Sequence, residues 1–366
     1  MQLEFFPSRT MTLYIAKMFA TRIVAVLLML VLVLQMLDLL SESGDILAAP
    51  GNGQAQLLTY VGLRMPQLVS RFLPYSVLLS TIITLMTLNQ NSEVVSMKAA
   101  GLSAHQILAP LFLVAAVVSG VTFAFNERIV TRSTATLKAW QAADFGPIPK
   151  DSEVKANVWL QDGQNILFAK AIEGRGPAMR MTDVSWYRRD PTGMVTEIVR
   201  TPQATFANPG WRFTDPATFD VQSTQRSAVK GEKIYARQVE PAQVVLRKVD
   251  ADTESLPRLS ASIQAIRDAG YRTSELEGKW WHKLSGPLSA LLMPLLGAVA
   301  AFGLARSGQL FVRAVIGMAL GFAYFVVDNA ALAMGNFGGY PPVLAAWAPF
   351  CLFLLIGETV LIRTEE

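Results

Sequence analysis

A continuous apolar segment near the N-terminus, MFATRIVAVLLMLVLVLQMLDLL at residues 18–40, constrains the fold of this chain more than any other feature. A helix on the surface of a soluble protein carries a polar stripe along its solvent-facing side, and this segment has almost none. A helix needs about 20 mostly apolar residues to cross the hydrocarbon core of a bilayer. The segment therefore predicts a membrane-spanning helix.

This segment does not have the pattern of a cleaved signal peptide. The apolar core of a signal peptide is about 7–15 residues long and ends in a small-x-small cleavage site. Here the apolar run is longer, and the acidic residues Asp38, Glu42 and Asp45 follow in place of such a site. The sequence therefore predicts that the segment stays in the protein.

Further long apolar segments predict an α-helical polytopic membrane protein with six transmembrane helices. Charged residues make up 16% of the chain and hydrophobic residues 52%, whereas soluble domains contain about 25% charged residues. A large soluble protein with buried helices is therefore disfavoured. The predicted spans are residues 17–40, 61–88, 104–125, 281–304, 311–335 and 342–362.

The short loops that carry Lys and Arg predict the orientation of these spans. Loops 41–57 and 336–341 contain neither residue, and the basic residues fall in the termini and the other short loops: Arg9, Lys17, Arg22, Lys98, Arg306, Arg313 and Arg363. Short basic loops remain in the cytoplasm. Both termini are thus predicted to be cytoplasmic. Residues 126–280 are predicted to lie on the opposite side, since this bias is weak for long loops.

Residues 126–280 have a different pattern, with short alternating runs separated by turn sequences such as DGQN, DPTG and NPG. Turn signals at this spacing, with β-branched and aromatic alternation, favour an all-β sandwich or jellyroll. Residues 258–269 predict a helix that ends at Gly270. The predicted organisation is helices in 1–125, an all-β jellyroll-like domain in 126–280 and helices in 281–366.

No catalytic, nucleotide-binding or metal-binding motif is present in the sequence. It contains no GxSxG, HExxH or GxxxxGK[ST] pattern and no Cys–His cluster. His105 and His282 fall at predicted membrane boundaries and are interpreted as structural, and Cys351 as a small packing residue. No nucleic-acid-binding motif appears either. The chain is therefore predicted to be non-catalytic, and any ATP it depends on is bound by another protein.

The sequence NSEVVSMKAAG, residues 91–101, predicts a short helix between the second and third spans. Asn91 or Ser92 can cap it, because their side-chain oxygens accept free N–H groups of the first turn. Glu93 complements the helix dipole, and Gly101 is suited to ending the helix.

Two interpretations of this short helix remain open. It has a small apolar surface and can lie on lipid headgroups, or it can insert as a coupling helix into a groove of a cytoplasmic partner, where Glu93 would meet an Arg or Lys. The candidate coupling residues are Ser92, Glu93, Val94, Met97, Lys98 and Gly101.

Several segments together resemble the LptF/LptG family, the permease subunits of the bacterial lipopolysaccharide export ABC transporter. NSEVVSMKAAGLSAHQIL (91–108) resembles the coupling-helix segment of the family, and RFLPYSVLLSTIITL (71–85) resembles its second span. VRAVIGMALGFAYFVVDNAAL (312–332), followed by GGYPPVLAAWAP (338–349), is more similar to the G subunit than to the F subunit.

The resemblance implies a permease in the inner membrane of a Gram-negative bacterium, with a periplasmic β-jellyroll between helices 3 and 4. The implied partners are an LptF-like sister permease and an LptB-like cytoplasmic ATPase dimer that binds the ATP. An LptC-like membrane-anchored protein and an LptA-like periplasmic protein would form a bridge to the outer membrane. Lipopolysaccharide is the implied cargo, and the chain itself needs no cofactor.

A cavity for a phosphorylated glycolipid requires basic side chains at its outer mouth. The candidates are Arg64, Arg71, Arg128, Arg132, Lys279 and Lys283. The alternative for each of them is snorkelling to ordinary lipid headgroups. Some family members have a basic residue in the outer half of the first span, where this chain has Gln35 and Asp38. Asp328 lies inside the fifth span and is expected to hydrogen-bond to a neighbouring span.

Other functions remain as alternatives. The chain can be the F-type sister subunit, or the permease of a different ABC exporter for an amphiphilic lipid or a lipoprotein. A secondary transporter is disfavoured because no inverted repeat is visible, and a simple membrane anchor is disfavoured because it needs only one span.

Overall fold

Long helices at both ends of the chain flank an antiparallel sheet in the middle. The structure, a computed structural model, describes residues 6–146, 155–174, 178–228, 231–240, 249–268, 270–302 and 310–365. The helices are α1 (Arg9–Ala48), α2 (Gln54–Gln90), α3 (Glu93–Ala99), α4 (Ala104–Phe125), α5 (Thr131–Ala142), α6 (Leu256–Asp268), α7 (Ser274–Phe302), α8 (Leu310–Asn336) and α9 (Pro342–Glu365).

Five of these helical segments are long and apolar enough to cross a membrane. They are Arg9–Ala48, Gln54–Gln90, Ala104–Ala142, Val315–Asn336 and Pro342–Arg363. The predicted span 281–304 coincides with α7, which is not one of the five. The first turns of α7 carry charged residues, and its apolar part reaches Phe302, next to residues outside the described ranges. The count of six spans therefore stays a prediction, and Arg306, used for the orientation, lies outside the described residues.

The third long helix does not end at residue 125, as the sequence pattern predicted. A π-helical turn at Asn126–Val130 joins α4 directly to α5, which continues to Ala142. No Gly or Pro interrupts residues 121–142 after Gly120, so the backbone remains helical even though its side chains become polar. The first strand accordingly begins only at Lys155.

Helix α7 lies in the centre of the bundle and packs against α2, α4, α8 and α9. Close approach to α2 depends on Gly297, where an added Cβ would lie 2.7 Å from Thr81 Cγ2. Small residues at such crossings allow helix backbones to pack tightly in membrane proteins. The result is one apolar core shared by helices from both ends of the chain.

The middle of the chain forms one antiparallel sheet with the order β1-β2-β3-β4-β5-β8, in which β6 pairs with β4 and β7 with β6. The strands are β1 (Lys155–Asp162), β2 (Asn165–Glu173), β3 (Arg180–Arg189), β4 (Val195–Phe206), β5 (Trp211–Thr214), β6 (Ala217–Asp220), β7 (Arg226–Ala228) and β8 (Glu232–Tyr235). The predicted DGQN, DPTG and NPG turns each connect two neighbouring strands, which confirms them.

The long strand β4 changes partner along one of its edges. Residues 197–200 pair with β6 and residues 203–206 pair with β5. Pro202 stands between these two ladders and has no N–H to donate. The first five strands are sequential neighbours, so the described strands form a meander that splits at this point. The predicted β character is confirmed, whereas the jellyroll is not.

Side chains on one face of the sheet form its apolar core. Leu167, Val184 and Trp211 are among the buried members, and the indole N–H of Trp211 donates to the carbonyl of Val239 at 2.9 Å. The buried positions alternate with exposed ones along β5, as expected for a strand with one buried face.

The helix predicted at 258–269 is confirmed as α6. It ends before Gly270, which has φ +79° and donates its N–H to the carbonyl of Arg267. Helix α6 packs on the start of α7, where the indole N–H of Trp280 donates to Ser260 Oγ at 2.9 Å. The last part of the connection from the sheet to α7 is thus a helix packed against the start of α7.

Candidate functional site

The short helix α3 lies between the ends of α2 and α4, at the end of the bundle away from the sheet, here named the α3 end. The predicted side-chain cap is wrong. Ser92 has φ +59° and its side chain makes no capping hydrogen bond, because a capping residue needs an extended backbone. The predicted end of the helix is confirmed, since Gly101 has φ +88° and donates its N–H to the carbonyl of Lys98.

The two faces of α3 have different surroundings. Val94 and Met97 are buried in the core of the bundle, whereas Val95 is 65% exposed. Ser92, Lys98 and Gly101 also lie on the exposed side. Of the predicted coupling residues, the two apolar ones therefore attach α3 to its own chain. The exposed surface of α3 consists of small, polar and basic side chains together with Val95.

Glu93 stands in the first turn of α3, half-buried. Its Oε1 accepts hydrogen bonds from the Tyr14 hydroxyl and from Asn91 Nδ2, each at 3.3 Å. The contact with Tyr14 ties the orientation of the carboxylate to α1. Sequence reasoning missed Tyr14, because the two residues are far apart in the chain and nothing in either motif indicates the pairing.

Asp38 and Arg64 form an ion pair between α1 and α2, at the end of the bundle nearest the sheet, here named the sheet end. Arg64 Nη2 lies 2.9 Å from Asp38 Oδ1, and the Tyr60 hydroxyl donates to Asp38 Oδ2 at 2.7 Å. Gln67 accepts from Arg64 Nη1 at 2.6 Å and donates to Thr134 Oγ1 at 2.9 Å. The predicted lipid-binding Arg64 thus already has an anionic partner within the protein, and the intramembrane acid Asp38 has a cationic one.

Three other predicted lipid contacts lie on the surface, Arg71 at the middle of α2 and the other two in the π turn and α5. Arg71, Arg128 and Arg132 are exposed. No salt bridge involves them within the described part of the chain. Their guanidinium groups can therefore reach an anion outside the protein.

The two predicted lysine contacts differ from each other. Lys279 pairs with Glu275 at 3.3 Å on the surface of α7. Lys283 is largely enclosed, with its Nζ 3.4 Å from Glu127 Oε1 and 2.7 Å from the carbonyl oxygen of Glu254. The structure therefore places Lys283 in an internal ion pair.

Asp328 is buried where α8 faces α7. The expected hydrogen bond to a neighbouring span is not found among the described residues. The ion-pair partner of Asp328 is His282, whose Nε2 lies 3.9 Å from Asp328 Oδ2. At the α3 end, His105 Nε2 lies 3.1 Å from Glu358 Oε2 and links α4 to α9. Both histidines therefore occupy contacts between helices.

Within the described residues, no group of three or more His, Cys, Asp or Glu side chains could hold a metal ion. Cys351 is free and exposed on α9, so its interpretation as a packing residue is wrong. A helix that is apolar all round gives no signal about which side faces its neighbours.

Comparison with known proteins yields one family across nearly the whole chain. Residues 13–363 match the family model described as lipopolysaccharide export system permease LptF/LptG. The match includes both groups of helices and the sheet between them.

Named relatives agree with this family. Over 361 residues, the chain is 25% identical to the lipopolysaccharide export system permease protein LptG of Escherichia coli strain K12. This alignment covers 96% of this chain and 97% of that protein. It is 24% identical over 322 residues to the protein of the same name from Haemophilus influenzae. That alignment covers 85% of this chain and 87% of the relative.

Proposed function

Because the chain belongs to the LptF/LptG family of lipopolysaccharide export permeases, we propose that it is the G-type permease subunit of an ABC transporter. This transporter extracts lipopolysaccharide from the inner membrane and passes it toward the outer membrane. The observation that carries the proposal is the family match over residues 13–363, which includes the whole sheet and all of the helical region except the outer ends of α1 and α9. The LptG names of the relatives favour the G type over the F type.

In this proposal, α7 crosses the membrane as the fourth of six spans, and both termini are cytoplasmic. The sheet then stands in the periplasm. The central packing of α7 against four other long helices supports its place in the membrane. The exposed apolar side chains of α1, such as Leu28, Val33 and Met36, suit contact with lipid or with a sister permease.

The exposed side of α3 is the proposed contact with a cytoplasmic ATPase dimer. Glu93 offers a carboxylate whose orientation is held by Tyr14, and Val95 offers an apolar contact beside it. The ATP would be bound and hydrolysed by that partner. Val94 and Met97 would transmit movement of α3 into the core of the bundle, since they are packed there.

Arg71, Arg128 and Arg132 are the proposed contacts with the phosphates of the glycolipid, because they are exposed and have no salt bridge within the described part of the chain. Arg guanidinium groups bind phosphate through paired hydrogen bonds. Strand β1 pairs only with β2 among the described strands. Its other edge is suited to strand addition by a bridge protein.

Co-purification and reconstitution test the proposed function. The tagged chain, extracted in detergent, should bring down an F-type permease, an ATPase dimer and bound glycolipid. In proteoliposomes, ATP should drive release of lipopolysaccharide to an acceptor. Glu93→Lys should leave the complex assembled but separate ATP hydrolysis from lipid release. A G-type partner would reassign the chain to the F type, and lipid release without any ATPase would refute the proposal.

A further inference from the structure

The chain reaches the sheet along one stem and returns along another, and both stems meet at Glu127. The outgoing stem is α4, the π turn and α5, and the returning stem is α6 followed by α7. Glu127 Oε2 accepts the backbone N–H of Leu256, at the start of α6, at 2.7 Å. Glu127 Oε1 lies 3.4 Å from Lys283 Nζ on α7. One carboxylate thus contacts both parts of the returning stem.

Lys283 closes this arrangement from the other side. Its Nζ donates to the carbonyl oxygen of Glu254 at 2.7 Å, and Glu254 lies just before α6. The side chains of Lys283 and Glu127 are only 16% and 15% exposed. By contrast, the pair Arg212–Glu232 on the sheet has the same 3.4 Å separation, but its side chains are 48% and 57% exposed. Removing one partner of an enclosed pair leaves an uncompensated charge, whereas an exposed pair is solvated and screened.

The position of Glu127 in a π turn is unusual. A π turn inserts an extra residue into a helix. Such turns are rare in proteins, and those that occur are often found at functional sites. Next to Glu127, the Oδ1 atom of Asn126 is buried and has no hydrogen-bond partner among the described residues. A buried acceptor without a partner is costly. The π turn keeps its own backbone hydrogen bond, from the Thr131 N–H to the Asn126 carbonyl, and the contacts of Glu127 add to it.

We propose that Glu127 is a positioning residue that clasps the two stems of the sheet domain together and fixes the orientation of the sheet over the helix bundle. The clasp consists of Glu127, Lys283 and the backbone around Glu254 and Leu256. When the outgoing helix and α7 move apart, these contacts break and the sheet loses this constraint on its orientation. In the transport cycle, the clasp keeps the sheet aligned with the lipid path. This role in transport rests on the proposed function.

Distance measurements between two spin labels test the clasp independently of transport. In full-length protein with Cys351→Ser, the labels are attached at Met194→Cys on the sheet and Leu58→Cys on α2, both at exposed positions. The unmodified clasp should give one narrow distance distribution in nanodiscs. Glu127→Ala and Lys283→Met should both broaden or shift it. Arg212→Gln removes an exposed pair at the same separation and should leave it unchanged.

A graded variant distinguishes the two arms of the clasp. Glu127→Gln keeps an acceptor oxygen for the Leu256 N–H but loses the charge opposite Lys283, so its distribution should be intermediate. If Glu127→Ala does not fold, Glu127→Gln and Lys283→Met carry the test. An unchanged distribution in folded Glu127→Gln and Lys283→Met would overturn the clasp.

Lipid release by the reconstituted complex tests the role of the clasp in transport. A clasp variant should lose release by severalfold while ATP hydrolysis continues. Broadened distances with full lipid release would overturn the role of the clasp in transport and leave the proposed function standing. Absence of release by the unmodified complex would refute the proposed function, and the distance result would still stand.

Discussion

Asp38 Oδ1 accepts a hydrogen bond from Arg64 Nη2 at 2.9 Å, and this pair joins α1 to α2 near the loop that connects them. The side chains of Arg64 and Asp38 are 30% and 22% exposed, so water screens the pair only in part. The Tyr60 hydroxyl donates to the same carboxylate. The charge of an acid at the end of a long apolar run is thereby compensated within the protein, which is the usual arrangement for intramembrane acids.

Asp38→Asn should destabilise the hairpin of α1 and α2. The change removes the charge opposite Arg64 and weakens two hydrogen bonds to a carboxylate, with an expected loss of about 2 kcal/mol in the free energy of unfolding. Denaturant unfolding in detergent, followed by tryptophan fluorescence, measures it. Arg71→Gln is the control, since Arg71 is exposed on the same helix. Equal stability of Asp38→Asn and the control would show that the pair contributes nothing.

Val94→Ala and Val95→Ala should separate the two faces of α3. Val94 is 4% exposed, so its truncation leaves a cavity in the bundle and should cost about 1–2 kcal/mol of stability. Val95 is exposed, and its truncation should leave thermal stability unchanged while weakening ATPase binding in the proposed complex. Thermal unfolding and co-purification yield measure these effects. The prediction fails if Val95→Ala destabilises the chain as much as Val94→Ala.

Gly335→Ala should force α8 and α9 apart. An added Cβ at Gly335 would lie 2.5 Å from the Cβ of Ala345, which is fixed to its backbone and cannot rotate away. Overpacking of this kind costs about 1–3 kcal/mol. Gly120→Ala in α4 is the matched control, because no atom lies within 4 Å of its added Cβ. A melting temperature for Gly335→Ala as high as that of the control would contradict the close contact.

Acidification should loosen the contact between α6 and α7. A hydrogen bond from the Thr273 hydroxyl, together with Arg267 at 2.7 Å, lowers the pKa of Glu277 below its ordinary value of 4.5. A lowered carboxyl pKa contributes stability above the unfolded-state pKa, and this contribution is lost as the pH falls through the folded-state pKa. Protection of α6 amides from hydrogen exchange, corrected for intrinsic rates, should therefore fall below about pH 4.5.

Glu277→Gln is the control for this pH dependence. The variant cannot titrate at position 277, so protection of α6 should be lower at neutral pH and should change less on acidification. An identical pH profile for the variant and the unmodified chain would assign the effect to another group.

The long helices and the hairpins were accessible from sequence because each follows from local chemistry. A bilayer demands a minimum apolar length, and residues such as Asp190 and Gly193 fix a turn where they occur. The Asp190 carboxylate, for example, accepts the backbone N–H groups of Thr192 and Met194. The extension of the third helix to Ala142 was missed because its polar side chains resemble those of a loop.

Contacts between distant residues were not accessible in the same way. Asp38 and Arg64 are an exception, because they lie on two successive helices joined by a short loop. Their opposite charges and this arrangement make the contact possible to infer from sequence. Glu127 and Lys283 are 156 residues apart and meet only through the packing of α7 against α4. The exposure of Cys351 was likewise hidden, because residues 342–356 around it are apolar on every side of the helix.

The burial of Val94 and Met97 has a mechanical consequence for α3. These side chains share one apolar cluster with Phe19 of α1, Leu88 of α2 and Leu108 of α4. Helix α3 is therefore packed directly against the bundle along its buried face. A force on the outer side of α3 would therefore act on three long helices through these two side chains.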